Sequence, residues 1–76
     1  MRELVAFIAR ALVQDPDAVQ VEEVLGDRER VIQLRVAPGD MGRVIGKEGR
    51  TAKAMRTVLA VASARNGMKA KLDIVE

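Results

Sequence analysis

Gly46-Lys47 is the first pair in this chain that invites a chemical reading, because glycine followed by lysine is how phosphate-binding loops open a helix. The nucleotide-binding versions do not fit. A P-loop needs four residues between its first glycine and the Gly-Lys pair, and a Ser or Thr after it. Here Gly42 and Gly46 enclose only Arg43, Val44 and Ile45, and Glu48 follows Lys47. The Gly-x-Gly-x-x-Gly dinucleotide pattern is absent as well. What remains is Gly46-Lys47-Glu48-Gly49, inside a stretch from Gly42 to Arg56 that carries three glycines and five basic residues. Gly46 and Gly49 lack a Cβ, so a polyanion backbone can approach the main chain closely and the turn can use positive φ at little cost. A helix starting after the turn offers free N–H groups and a partial positive charge. Lys47, Arg50 and Lys53 add cations at that end, while Val44 and Ile45 are placed to anchor the turn to the core. The same four residues also suit a tight helix–helix turn with a solvated basic face. The surrounding order of helix, turn, basic helix and flanking strands favours the phosphate reading.

No other constellation competes. The chain has no His, Cys, Tyr or Trp, which removes most general bases near neutral pH, most nucleophile activators and most zinc ligands. Thr51 and Ser63 are hydroxyls with nothing nearby in sequence to activate them. Glu22-Glu23 would lie on opposite faces of a strand and cannot form a joint site. Asp15-Pro16-Asp17 reads as turn and capping chemistry. No enzymatic activity, cofactor or metal is expected, and a chain without cysteine suits a reducing cytoplasm.

The charge distribution points the same way as the glycines. Residues 1–40 carry five basic residues against eight acidic ones, and residues 41–76 carry eight basic residues against three acidic ones. An acidic scaffold joined to a basic surface suggests a polyanionic partner. With 76 residues, 49% of them hydrophobic and 32% charged, the chain is expected to form one globular domain spanning residues 1–76.

The elements that must position the glycine turn follow from periodicity. Leu4, Phe7, Ile8, Ala11 and Leu12 mark one face of an N-terminal amphipathic helix, with Phe7 expected in the core. The apolar run Leu4 to Ala9 is too short for a membrane span or a signal sequence, so no membrane insertion is expected. Pro16 breaks that helix. Val19 and Val21 begin a strand, Leu25-Gly26-Asp27-Arg28 makes a turn, and Val31 to Val36 returns with Ile32, Leu34 and Val36 on one face. Ala37-Pro38-Gly39-Asp40 ends the hairpin, and Asp40 is a candidate N-cap for a short helical turn over Met41 to Ile45. A longer helix is expected from about Arg50 to Arg65, with Ala52, Met55, Val58, Leu59 and Ala62 inward and Lys53, Arg56 and Ser63 elsewhere. Asn66-Gly67 should stop it. Met68 to Val75 then alternates as a last strand. The order is α-β-β-α-α-β, an α+β fold with a three-stranded sheet covered on one face by helices.

At this point Val44-Ile45-Gly46-Lys47-Glu48-Gly49-Arg50-Thr51-Ala52-Lys53-Ala54-Met55 resembles the signature of the KH domain, whose Gly-x-x-Gly loop clamps single-stranded nucleic acid. The element order is similar to the type II arrangement, and the whole chain resembles the small single-domain bacterial RNA-binding proteins of the KhpA type. The resemblance implies a cytoplasmic, non-enzymatic binder of single-stranded RNA. It also implies homodimers, pairing with a larger Jag-type KH protein, and a link to RNA chaperone activity and to cell elongation and wall synthesis. Gly46, Lys47, Glu48 and Gly49 would be the clamp. Val44, Ile45, Ala52 and Met55 would line or support the groove, and Arg43, Arg50, Lys53 and Arg56 would supply charge. Many KH domains have Ile where this chain has Ala52, which implies a shallower apolar floor, and Glu48 offsets part of the clamp's charge; both imply modest affinity. A near absence of aromatics fits this module better than RRM or OB folds, which stack bases on rings. The alternative is a dimerisation module of a larger RNA-binding complex with little RNA affinity of its own.

Overall fold

The computed structural model describes residues 1–65 and 67–75. Its order is α1 (Arg2–Leu12), β1 (Gln20–Leu25), β2 (Glu29–Arg35), α2 (Met41–Ile45), α3 (Arg50–Ala64) and β3 (Lys69–Val75), with single 3-10 turns at Pro16–Ala18, Pro38–Asp40 and Lys47–Gly49. The expected α-β-β-α-α-β arrangement is therefore the observed one.

β1 and β2 form an antiparallel hairpin in register from Gln20↔Arg35 to Leu25↔Arg30. β3 joins the other side of β2, but in parallel, from Glu29↔Lys69 to Arg35↔Val75. Parallel neighbours cannot be joined by a tight turn and need a crossover. Here the crossover is α2, the glycine turn and α3. Ile32, Leu34 and Val36 point from the central strand into the core, as their alternation predicts, and meet Leu72 from β3, Val5 and Ala9 from α1, Val44 from α2 and Met55 and Leu59 from α3. The other sheet face carries polar residues, among them Glu29 and Lys71, whose ion pair bridges β2 and β3 at 3.1 Å.

Two helix faces differ from the expected ones. In α1 the buried residues are Val5, Ala6 and Ala9; Leu4, Ile8 and Leu12 are half-buried, Ala11 is exposed, and Phe7 is 73% exposed rather than in the core. The small residues turn inward because they let the helix backbone approach the sheet, which rotates the bulky positions toward solvent. In α3, Val58 is exposed and Ser63 takes its place among the buried residues with Ala52, Met55 and Leu59. The Ser63 hydroxyl is satisfied locally, donating to the Ala60 carbonyl at 3.2 Å, so its burial leaves no orphaned polar group.

Asn66, half of the expected helix stop, lies outside the described residues. Gly67 does what the stop requires. It has φ +66°, its N–H donates to Ala64 and the Met68 N–H donates to Ser63. That paired pattern is a Schellman closure, which needs a left-handed residue at the position Gly67 holds.

Asp40 also differs. It precedes α2, but its carboxylate makes no capping bond there. Instead it is 3% exposed and accepts the backbone N–H groups of Gln14 and Asp15, each at 3.1 Å. The segment after α1 is thus clipped to the start of the crossover.

Candidate nucleic-acid interface

The glycine turn is built by three successive departures from ordinary backbone. Gly46 ends α2 with φ 79° and ψ 171°, Glu48 has φ 58° and ψ 24°, and Gly49 has φ 76° and ψ 13° immediately before α3. Gly46 is fixed by two causes. Its φ disfavours any side chain, and a Cβ there would collide with Thr51 Oγ1 and Cβ. Gly49 meets no such obstacle and is required by conformation alone. The Gly49 N–H donates to the Gly46 carbonyl at 3.1 Å, which closes the turn. Glu48 holds a left-handed conformation that costs a residue with a Cβ about 1–2 kcal/mol.

The turn presents Lys47 and Glu48 to solvent. Behind them the 15-residue helix α3 begins without a side-chain cap, its first N–H, that of Arg50, donating to the Lys47 carbonyl within the turn, and brings the dipole's positive end up to the turn. Among the expected groove residues, Val44, Ala52 and Met55 are all buried in the core and so support the site from beneath. Ile45, expected as an anchor beside Val44, is 37% exposed and is the apolar side chain that stays at the surface next to the turn.

The five expected cations are not equivalent. Arg43 Nε lies 3.3 Å from the Asp40 carboxylate. Arg50 reaches Glu48 at 3.4 Å, with both side chains well exposed. Arg56 turns toward the sheet edge, where its Nε donates to the Leu72 carbonyl at 3.4 Å. Lys47 and Lys53 are exposed and have no ion pair among the described residues. Thus Lys47 and Lys53 are the cations most ready for an anion, and Arg50 is held only by a solvent-screened pair.

Three contributions escaped the sequence reading. Thr51 fills the space that makes Gly46 obligatory, Leu72 supplies the carbonyl that orients Arg56, and Asp40, expected only as an N-cap, ties the root of α2 to Gln14 and Asp15. Thr51 stands within the signature stretch but carries no mark of its role. The partners of Asp40 and Arg56 are remote in sequence, so no local pattern could reveal them. An open depression of about 680 Å³ at the hairpin tip, beside Val24 and Leu25, has none of the glycine-turn residues in its lining.

A family model for the KH domain of KhpA/KhpB matches residues 2–74. The chain is 48% identical over 75 residues to the RNA-binding protein KhpA of Clostridium perfringens, covering 99% of this chain and all of that protein. The protein of the same name from Caldanaerobacter subterraneus subsp. tengcongensis is also 48% identical over 75 residues, with the same coverage. That of Chlamydia trachomatis is 45% identical over 76 residues, covering all of this chain and 97% of that protein. With the fold, the glycine turn and the full-length match in agreement, this chain belongs to the KhpA/KhpB family of KH-domain proteins.

Proposed function

We propose that this protein is a non-enzymatic binder of single-stranded RNA that holds the sugar–phosphate backbone against Gly46-Lys47-Glu48-Gly49 and the first turn of α3. The observation that carries this reading is the positive end of α3 set, without a side-chain cap, directly behind a turn where exposed Lys47 and the Cβ-free Gly49 leave the main chain open to approach. Ile45 and the stems of Lys53 and Arg56 would pack against the strand, and Arg43, Lys47, Arg50, Lys53 and Arg56 would share its phosphates. The names of the similar proteins, all RNA-binding, support the class of ligand. The family resemblance further supports a cytoplasmic role in RNA chaperoning or post-transcriptional control alongside a larger Jag-type KH partner, tied to cell elongation and wall synthesis. No helix among the described residues is long and apolar enough to cross a membrane.

Salt titration tests the electrostatic part. If three or four of the five cations meet phosphates, log K should fall against log salt with a slope of about −2 to −3, from roughly −0.7 per phosphate on a single strand. Equal-length duplex RNA should bind more weakly. A slope near zero, or a preference for duplex, would contradict the clamp.

A specific surface supports self-association as part of the same function. The outer side of α3 carries an apolar strip around Val58 and Val61, the latter 63% exposed, along an open depression with Thr57, Ala62 and Arg65. Packing this strip against a second copy would place two clamps on one RNA and raise avidity without new base contacts. We expect a homodimer at micromolar concentration that Val61→Glu weakens. Sedimentation showing only monomer at high concentration would remove the idea and leave the RNA reading standing.

A further inference from the structure

The only aromatic residue of the chain, Phe7, is 73% exposed on α1. A lone exposed apolar side chain needs no explanation, but Phe7 is not alone. At about 100° per residue, Leu4, Phe7 and Ala11 fall within one arc of α1. This arc lies opposite the face formed by Val5, Ala6 and Ala9, which packs on the core. Ala11 is exposed, while half-buried Leu4 packs its inner side on the core, so the uncovered part of the strip is Phe7 and Ala11 with the outer edge of Leu4.

Charges at the border of the strip indicate what does cover it. Glu3 and Arg10 sit on the same flank of Phe7, one toward each end of the helix, and both are exposed. Neither has an ion-pair partner among the described residues. When two helices pack antiparallel about a twofold axis, each flank faces the same flank of its mate. With the axis at Phe7, Glu3 lies about 6 Å along the helix on one side and Arg10 about 4.5 Å on the other, from a rise of 1.5 Å per residue. Glu3 of one copy then faces Arg10 of the other, twice, with Phe7 against Phe7 between them. The strip is therefore complementary to itself in both charge and apolarity.

We infer that the outer face of α1 is a self-association surface, an isologous antiparallel α1–α1 contact distinct from the α3 strip. A contact of one short helix on another is small, so it operates as a weak, transient interface, in the range of roughly 0.1–1 mM. Combined with α3 pairing, a second isologous face lets the chain associate beyond the dimer.

The test is a charge swap in a Val61→Glu background, which takes α3 pairing out of the measurement. Glu3→Arg and Arg10→Glu should each weaken self-association about tenfold, because each replaces two attractive pairs by two repulsive ones. Mixed together, the two variants should form a heterodimer at least as well as the parent self-associates, since every facing pair is again opposite in sign. A merely intramolecular role for either charge would lower the stability of its own variant and would not produce partner selection. An independent trap uses the absence of cysteine from the chain. Packed helices lie about 8–10 Å apart, which brings the Cα atoms of the two Phe7 residues within disulfide range. Phe7→Cys should therefore form a disulfide dimer on mild oxidation, and Gln14→Cys, far from the axis, should not. The proposal is overturned if the mixed charge variants do not select each other, or if Phe7→Cys and Gln14→Cys cross-link alike. Lipid vesicles that bind the parent and release the Phe7→Ser variant would reassign the strip to a membrane surface and overturn it as well.

Discussion

Replacing Lys47 and Glu48 together by aspartate is expected to abolish RNA binding and leave the fold in place. Both side chains are exposed, so nothing in the core depends on them. Position 48 holds a left-handed backbone with φ 58°, which aspartate tolerates better than glutamate does, so the turn is not strained by the change. The ligand side is different. Lys47 is one of the two clamp-side cations free of any ion pair among the described residues, and a carboxylate in its place sets like charge against phosphate. The loss should be about 100-fold or more in affinity, since juxtaposed like charges at an interface cost several kcal/mol. Fluorescence anisotropy with a labelled single strand measures the affinity, and circular dichroism checks the fold. Unchanged affinity with an unchanged spectrum would sink the clamp assignment.

The second large effect concerns stability rather than binding. Asp40→Ala removes the acceptor of two backbone N–H groups, those of Gln14 and Asp15, and the partner of Arg43. The two amides are partly buried and have no other acceptor among the described residues. Stranding such donors costs about 2 kcal/mol in total, which for a domain of this length lowers the melting temperature by about 10 °C. Asp40→Asn should recover little, because its amide has one oxygen for two donors and turns an NH₂ group toward the second. A thermal melt of Asp40→Ala within 2 °C of the parent, on the order of the scatter expected for neutral surface changes, would show that the clip contributes nothing.

The order of elements, the strand faces and the glycine turn could be read from sequence because each depends on short-range rules. Ile32, Leu34 and Val36 alternate, and alternation alone assigns them to one face. Gly46 and Gly49 flank a turn, and their conformations follow from the missing Cβ. Helix faces were less legible. Periodicity finds the bulky side chains of α1, Leu4, Phe7 and Ile8, but the surface that packs on the sheet is chosen by how close the backbone can come, which favours Ala6 and Ala9. The same competition puts Ser63 inward in α3 and leaves Val58 outside. Within the candidate site, Val44 and Ile45 were expected to act together, yet the turn of α2 sends one into the core and the other to the surface. The engagements of Arg43 with Asp40 and of Arg56 with Leu72 depend on where distant segments meet, and no local pattern encodes that.

The parallel pairing of β2 with β3 has a consequence for the order in which a newly made chain becomes active. β1 and β2 are neighbours in sequence and can zip as soon as both are synthesised, whereas every β2 residue waits for a β3 partner far along the chain, Glu29 for Lys69 and Arg35 for Val75. Non-local pairing of this kind is slow, because chain entropy must be surrendered before the contact forms. The glycine turn lies inside the segment that this pairing closes. While β3 is still within the ribosome, Leu72 cannot complete the core beneath α3 or present its carbonyl to Arg56. The hairpin therefore forms early, and the surface around the glycine turn is completed last, only once β3 has docked in parallel against β2.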